Sequence, residues 1–179
     1  YDLGLTAYAS SGEGGYVLEV QAAFPPPCES DEDCDCPELE CALEGPDMGQ
    51  CVLNMTSEVE PNDAPASASL VTLDTPQKGS FSDEADVDWY RVQLEVDVPV
   101  DVRTTAFCGE LTDPKVWLYD EAGQTMLAMD ADGAGEGHAR IERFEVPAAG
   151  VVRIKVIDES SSSGAYVLSV LDARCESDA

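Results

Sequence analysis

Two acidic segments frame the part of the sequence that decides the fold: Glu58-Val59-Glu60-Pro61-Asn62-Asp63 and Asp83-Glu84-Ala85-Asp86-Val87-Asp88. The second continues directly into Trp89-Tyr90-Arg91-Val92-Gln93-Leu94, which alternates like a strand that enters a protein core. In the first, Pro61 restrains its own backbone and that of Glu60 to extended conformations, so residues 58, 60 and 62 are expected on one side. We therefore predict that residues 58–63, hereafter the acidic linker, lead into a β-domain.

The two acidic segments carry the kind of oxygen atoms that a calcium ion requires. Calcium prefers roughly six to eight hard oxygen ligands, and a fold that brings the two segments together would supply them. The alternative interpretation is a solvated acidic loop in each segment, which the composition of the chain favours. The order of further motifs along the chain favours the calcium site instead.

Four short motifs follow one another along the chain. They are Glu60-Pro61-Asn62-Asp63, Asp86-Val87-Asp88-Trp89-Tyr90, Val116-Trp117-Leu118-Tyr119-Asp120-Glu121-Ala122-Gly123 and Gly164-Ala165-Tyr166-Val167-Leu168. In this order they resemble the bacterial pre-peptidase C-terminal domain, a secreted β-sandwich module, over roughly residues 58–172. The resemblance implies a calcium ion between the acidic linker and a loop near the Asp-Trp-Tyr strand, as in collagen-binding members. The implied ligands are Glu58, Glu60, Asn62 and Asp63 from the linker, and Asp83, Asp86 or Asp88 from the second segment.

The charge of the chain argues against several classes of partner. Its 179 residues include 37 acidic and 9 basic side chains, which gives a net charge of -28 at pH 7. Such a charge argues against nucleic acid or an anionic membrane and favours cations. No run approaches the roughly 18 consecutive apolar residues of a membrane span, so membrane insertion is not expected. The chain starts at Tyr1 without a signal-peptide pattern, and we expect it to be a piece of a longer protein.

Seven cysteines indicate an oxidising compartment, and hence a secreted or cell-surface protein. A zinc site is disfavoured because Cys34-Asp35-Cys36 lacks Cys-x-x-Cys spacing and His138 lies far along the chain. Five cysteines fall between residues 28 and 51, in a module too small to bury a core, so crosslinks are expected to hold it. We predict three disulfides, one of which ties the sandwich to this module through Cys108, while the pairing inside the module stays open. The predicted disulfide cysteines are Cys28, Cys34, Cys36, Cys41, Cys51 and Cys108.

The two ends of the chain repeat each other. Residues 14–20 match residues 164–170 at an offset of 150, and Cys28-Glu29-Ser30-Asp31 recurs as Cys175-Glu176-Ser177-Asp178 at an offset of 147. Such a period predicts a tandem array. The predicted boundaries are 1–22 for the final hairpin of a preceding repeat, 23–27 for a proline linker, 28–57 for the cysteine-rich module, 58–172 for the sandwich and 173–179 for the next module.

Strand signals recur through the second part of the chain, separated by turns that contain Asp, Gly and Pro. They predict an all-β fold, an antiparallel jelly-roll-like β-sandwich preceded by the small disulfide-rich module. The signals cover residues 69–73, 79–81, 88–94, 98–105, 115–119, 125–129, 140–146, 151–157 and 165–171.

The aromatic residues of these strands are interpreted as core or cross-strand residues, with ligand stacking as the alternative for each. They are Trp89, Trp117, Tyr119, Phe144 and Tyr166.

Two further motifs carry weaker signals. The loop Asp130-Ala131-Asp132-Gly133-Ala134-Gly135-Glu136 resembles a calcium loop but lacks the bidentate Glu of an EF-hand, and a Gly-rich strand connection explains it as well. Catalysis is not expected, because His138 is the only imidazole and it lies in a Gly-rich turn without a nucleophile motif.

We therefore expect a non-catalytic, secreted structural repeat in which calcium stiffens each junction and disulfides lock each small module. Its partners would be other copies of the repeat, arranged as an extracellular fibre, stalk or surface element. The alternative is a substrate-targeting module of a larger secreted hydrolase that binds an extracellular protein or polysaccharide. The two hypotheses differ in whether the isolated domain binds an insoluble substrate.

Overall fold

A computed structural model of the chain describes residues 28–34, 36, 38–44, 48, 50–53, 55–160 and 163–175. The predicted hairpin at 1–22, the proline linker at 23–27 and residues 176–179 of the predicted next module lie outside these residues. The tandem array therefore stays a prediction. The described residues form two compact units, one from 28–34 and 40–52, the other from 35–39 and from 53 onward.

The smaller unit is held by two disulfides, Cys28–Cys41 and Cys34–Cys51. It begins with the 3-10 helix Asp31–Asp33, and the Asp31 carboxylate accepts a hydrogen bond of 2.8 Å from the Cys41 N–H. Strands β1 (Leu39–Cys41) and β2 (Cys51–Leu53) form a two-stranded sheet. A unit of this size buries little apolar surface, so its crosslinks take the place of a core.

The larger unit is a sandwich of two five-stranded sheets. In chain order its strands are β3 (Thr56–Ser57), β4 (Ser69–Leu70), β5 (Gln77–Phe81), β6 (Asp88–Leu94), β7 (Val100–Ala106), β8 (Pro114–Tyr119), β9 (Met126–Asp130), β10 (Arg140–Phe144), β11 (Gly150–Asp158) and β12 (Gly164–Asp172). The first sheet has the order β10-β7-β12-β5-β3 and the second has the order β4-β6-β11-β8-β9. The predicted all-β sandwich is confirmed, and each of the nine strand signals coincides with one observed strand.

Two details differ from the prediction. The short edge strands β3 and β4 pair in parallel with β5 and β6, whereas the other strand pairs described in the sandwich are antiparallel. Strand β10 ends at Phe144, two residues before its predicted limit, and it contains a bulge between Ile141 and Phe144, where Arg143 has a positive φ of 45°. Since β3 belongs to the first sheet and β4 to the second, the acidic linker between them passes from one sheet to the other.

Alternation along the strands builds a single core between the sheets. The inward side chains include Tyr90, Val92 and Leu94 of β6 and Tyr166, Leu168 and Val170 of β12. Each fully buried side chain of this kind stabilises the fold by about 1.5–3 kcal/mol relative to leaving it in water. The core therefore gives the acidic linker a rigid surface on which to dock.

A third disulfide, Cys36–Cys108, lies in the larger unit and joins residues 72 apart in sequence. The Glu38 carboxylate accepts a hydrogen bond of 3.1 Å from the Cys108 N–H. Next to it, Phe107 packs with Ala165 and Val167 of β12 in a small apolar cluster outside the main core. The bridge thus fixes the segment before β1 to the loop after β7.

The helical elements of the described residues are short 3-10 turns. They span Asp31–Asp33, Pro65–Ser67 and Ala173–Cys175. No helix in this part of the chain is long and apolar enough to cross a membrane.

Candidate metal centre

Glu58 joins the acidic linker to both sheets. Its Oε1 accepts hydrogen bonds from the N–H and the hydroxyl of Ser80 on β5, at 2.5 and 3.1 Å. Its Oε2 accepts hydrogen bonds from the Tyr90 hydroxyl of β6 at 2.5 Å and from the Asn62 side-chain amide at 3.0 Å. One carboxylate thus connects the first sheet, the second sheet and the linker itself.

Asn62 is the deepest residue of the acidic linker, with no exposed surface. Its N–H donates to Glu60 Oε2 at 2.7 Å, and its carbonyl accepts from the Trp89 N–H at 3.0 Å. The Glu60–Pro61 peptide bond is cis. At the start of the linker, the Val59 N–H donates to the Ser69 hydroxyl of β4 at 2.9 Å. The linker is therefore docked on the sandwich through backbone and side-chain bonds alike.

Two buried tyrosines connect Asp88 to Glu58 through their hydroxyl groups. Tyr166 Oη lies 2.6 Å from Asp88 Oδ2 and 2.8 Å from Tyr90 Oη, and Tyr90 in turn donates to Glu58. The chain Asp88, Tyr166, Tyr90, Glu58 thus contains three short oxygen–oxygen contacts, and each contact needs one proton. The two phenols supply only two, so a full set of hydrogen bonds requires a proton on one of the carboxyls.

Gly79 on β5 leaves the space that the tyrosine hydroxyls occupy. A Cβ at this position would lie 2.5 Å from Tyr90 Oη and 2.6 Å from Tyr166 Oη, well inside contact distance. Any side chain here would therefore displace the two hydroxyls.

Three carboxylates converge beside this network. Oxygen atoms of Glu58, Glu60 and Asp88 lie within 4.8 Å of one another. Asp88 is fully buried, and within the described part of the chain Asp88 Oδ1 and Asn62 Oδ1 have no hydrogen-bond partner. Buried polar atoms normally have a partner, so these two oxygens point to a group that completes the site.

An open pocket of about 430 Å³ adjoins the cluster. Its lining residues are Glu60, Pro61, Asp63, Ser80, Ser82 and Asp86. The pocket opens to solvent beside Glu60, one of the three carboxylates.

Burial and the clustered negative charges raise the pKa values of several groups in the site. Burial, together with the charge of Glu58, raises the pKa of Asp88 from its usual 3.8 to about 9. Burial and the charges of Glu58, Asp86 and Asp63 also raise the pKa of Glu60. Burial and the charge of Asp88 keep the pKa of the Tyr90 phenol well above 10.0. At neutral pH Asp88 therefore carries the proton that the hydrogen-bond chain requires.

The donor set fits a hard cation. Carboxylate and amide oxygens are the ligands that calcium selects, and a divalent ion would neutralise the like charges of the cluster. The residues that would hold it are Glu58, Glu60, Asn62 and Asp88, with Asp63 and Asp86 at the pocket.

The seven predicted ligands fall into three groups. Glu58, Glu60, Asn62 and Asp88 lie together at the centre of the site. Asp63 and Asp86 line the adjoining pocket. Asp83 belongs to neither group, and its Oδ1 accepts the Ala85 N–H at 2.8 Å within its own turn.

Sequence reasoning missed four residues of the site: Gly79, Ser80, Tyr90 and Tyr166. Tyr166 was interpreted as a core or cross-strand residue, yet its hydroxyl forms part of the network. The available signal was chemical, since a buried tyrosine hydroxyl usually finds a hydrogen-bond partner. Gly79 within a strand was a second signal, because such a glycine often marks a close approach.

The Asp130 loop has the contacts of a strand connection. Asp130 Oδ2 accepts hydrogen bonds from the Gly133 N–H at 2.7 Å and the Arg140 N–H at 2.9 Å. Gly135 and Gly137 have positive φ angles of 79° and 76°. These contacts account for the Asp-x-Asp-Gly pattern without a metal.

The remaining aromatic residues of the sequence analysis lie in both sheets, three of them in the second sheet and one in the first. Trp89 is buried, although its side chain is on the outward side of β6. Trp117 and Tyr119 are half-buried on the outward side of β8. Phe144 packs partly against the core. Trp117 and Tyr119 are thus cross-strand residues rather than core residues.

No family model and no curated protein sequence matches the chain. Among solved structures, the pre-peptidase C-terminal domain of a collagenase from Bacillus anthracis is similar, with 24% identity and a TM-score of 0.47 over 57% of this chain and 93% of that chain. A periplasmic inhibitor of g-type lysozyme from Aeromonas hydrophila is similar with 15% identity and a TM-score of 0.37, over 56% of this chain and 95% of that one. The first of these structures bears the name of the family that the motifs of residues 58–172 resemble.

Proposed function

We propose that the chain is a non-catalytic, secreted calcium-binding module in which one ion fixes the acidic linker on the β-sandwich. The observation that supports this most is the cluster of Glu58, Glu60 and Asp88, whose oxygens lie within 4.8 Å beside two buried oxygens without partners. Glu58 and Glu60 belong to the linker and Asp88 belongs to β6. An ion bound to all three would therefore crosslink the linker to the sheet.

The crosslink has a structural consequence. Without the ion, the linker is held by hydrogen bonds that water can replace, and the carboxylates of the site repel one another. With the ion, the same carboxylates attract a common centre, and the direction in which the chain enters the sandwich is fixed. In a tandem array of copies, a fixed direction at each junction gives a stiff fibre or stalk. The three disulfides favour an extracellular location for such an array.

Ion binding at this site is expected to release a proton. Asp88 carries one at neutral pH, since its pKa is about 9, and a carboxyl must lose its proton to bind calcium. Calcium affinity should therefore increase as the pH rises towards 9 and fade in acid.

Titration calorimetry with calcium tests the proposal. The wild-type protein should bind one ion per chain and release protons, so the measured heat should depend on the ionisation enthalpy of the buffer. Asp88→Asn should weaken binding by at least about tenfold, because the buried carboxylate is lost. Asp83→Asn is the matched control, and it should bind as the wild type does. Equal calcium affinity in all three proteins would refute the proposed site.

A second candidate function is a substrate-targeting module that binds an extracellular polymer. The observation that favours it is the outward face of the second sheet, where Trp117 and Tyr119 lie half-buried among basic side chains. The two functions use different surfaces of the sandwich and are compatible with each other.

A further inference from the structure

The outward face of the second sheet carries a set of side chains that the core and the metal centre do not use. Strand register places these side chains in rows that run across the strands. One row is Trp89, Lys155, Trp117 and Met129, and the next is Arg91, Arg153, Tyr119 and Met126. Lys115 lies opposite Ile157 in a third row. We refer to the three rows as the outer platform.

The platform concentrates positive charge in a chain that has little of it. Four of the nine basic residues of the whole sequence belong to it, although the chain has 37 acidic residues. They are Arg91, Lys115, Arg153 and Lys155. Four basic side chains thus lie on three adjacent strands of one face.

The basic side chains lie close together, although their like charges repel one another. Arg91 lies directly opposite Arg153 in the register of β6 and β11, and like charges in such pairs are destabilising. The ammonium groups of Lys115 and Lys155 lie 5.4 and 5.1 Å from the centroid of the same Trp117 ring. Some of this charge is compensated, since Lys115 pairs with Glu159 at 2.8 Å and Arg153 Nε donates to the Glu121 carbonyl. A bound anion would relieve the rest.

Apolar groups accompany the charges. Trp117 and Tyr119 are half-buried, and Met126 and Met129 on the edge strand β9 are 53% and 46% exposed. The platform thus offers flat apolar surface and cations together. Flat rings suit the faces of sugar rings, and the cations suit carboxylate or sulfate groups on those sugars.

We propose that the outer platform binds an anionic polysaccharide, with sugar rings against Trp117 and Tyr119 and with carboxylate or sulfate groups against the four basic side chains. The inference does not depend on the calcium function; it rests on the second candidate function and specifies the class of polymer that this face would bind.

The size of the platform favours a polysaccharide over a protein. Four strands about 4.8 Å apart and three rows about 7 Å apart give an area of about 200 Å². A stable protein interface buries about 800 Å² on each partner, and lysine is depleted from its centre. The platform is too small for such an interface, and one of its lysines, Lys155, lies in the middle row.

Binding to soluble polymers tests the proposal, with the full chain kept in calcium throughout. The probes are polygalacturonate for carboxylates, dextran sulfate for sulfates and dextran as the neutral polymer, each measured by affinity electrophoresis and by interferometry. One or both anionic polymers should bind, and binding should weaken as salt rises. Lys155→Gln should weaken binding by roughly two- to fivefold, and Lys115→Gln with Lys155→Gln by roughly tenfold.

Lys78→Gln is the matched control, because Lys78 also lies over an aromatic ring, at 4.3 Å from the Phe107 centroid, but on the first sheet. It should leave polymer binding unchanged. Thermal unfolding of each variant confirms that the fold is intact.

Several outcomes would overturn the proposal. Equal binding of dextran would mean that the charges play no part. Absence of anionic polymer binding, or equal loss in Lys78→Gln and Lys155→Gln, would remove the platform as the site. Self-association of the free chain that Lys155→Gln abolishes, measured by light scattering, would make a second copy the occupant instead.

Discussion

Replacing Cys36 and Cys108 together by alanine is expected to lower the free energy of unfolding of the larger unit by about 4 kcal/mol. The bridge joins residues 72 apart, and both cysteines belong to the larger unit. A crosslink restricts the unfolded chain more as the loop it closes grows longer, and the chain-entropy model gives about 4 kcal/mol for a loop of this length. The cost is large compared with a total stability of about 5–15 kcal/mol.

Urea unfolding followed by tryptophan fluorescence measures this effect, because Trp89 and Trp117 both lie in the sandwich. The matched control replaces Cys28 and Cys41, whose bridge spans only 13 residues within the smaller unit. The control should leave the unfolding midpoint of the sandwich nearly unchanged. A loss below about 1 kcal/mol in the Cys36 and Cys108 variant would show that the bridge does not stabilise the sandwich.

Asp88→Asn is expected to stabilise the calcium-free protein at pH 7 by about 2 kcal/mol. In the folded protein Asp88 is protonated up to pH about 9, whereas in the unfolded chain it ionises near 3.8. At pH 7, about three units above the pKa of the unfolded state, folding therefore requires the uptake of a proton. This uptake costs up to about 4 kcal/mol. Asparagine removes this cost but must place a second amide hydrogen in the same buried site, so we expect about half of the gain.

The contribution of Asp88 to the folding stability depends on pH. The folded state of the wild type binds more protons than the unfolded state between pH 3.8 and about 9, so the Asp88 contribution to stability is lost as the pH rises through this window. The stability of Asp88→Asn should lack this decline. Urea unfolding in chelator from pH 5 to pH 9 measures the difference between the two proteins, and Asp83→Asn should follow the wild type. Parallel curves for wild type and Asp88→Asn would contradict a buried, protonated Asp88.

Local patterns were sufficient to predict the strands. Alternation in residues 88–94 predicts β6 with its observed bounds, because a period of two over seven residues is typical of a strand and not of a helix. Strand ends were less predictable. Leu73 belongs to a strand signal but lies beyond β4, and the turn there depends on Asp74 at a φ of 59°, which side-chain periodicity does not encode.

Only the two acidic segments of the candidate site were predictable, and for the second segment the choice among its aspartates stayed open. Glu58, Glu60 and Asn62 were identified because their oxygens recur at alternate positions. The partners from β5, β6 and β12 were not, since Tyr90 of β6 and Tyr166 of β12 are 76 residues apart and meet only when the two sheets pack. Asp83 and Asp88 are equally plausible ligands in the sequence, and only the packed fold separates them, because Asp88 lies beside Glu58 and Glu60 whereas Asp83 does not.

Hydrogen exchange at the docked linker tests the central claim most directly. The amides to follow are those of Asn62, Ser80 and Trp89, which bond to Glu60, Glu58 and Asn62. If one calcium ion fixes the linker, exchange at these amides should slow by up to about a hundredfold at a calcium concentration 100 times the dissociation constant. The Ala139 amide, bonded to Thr104 of β7, serves as the internal reference and should change little. Unchanged exchange at Asn62, Ser80 and Trp89 in saturating calcium would contradict the account.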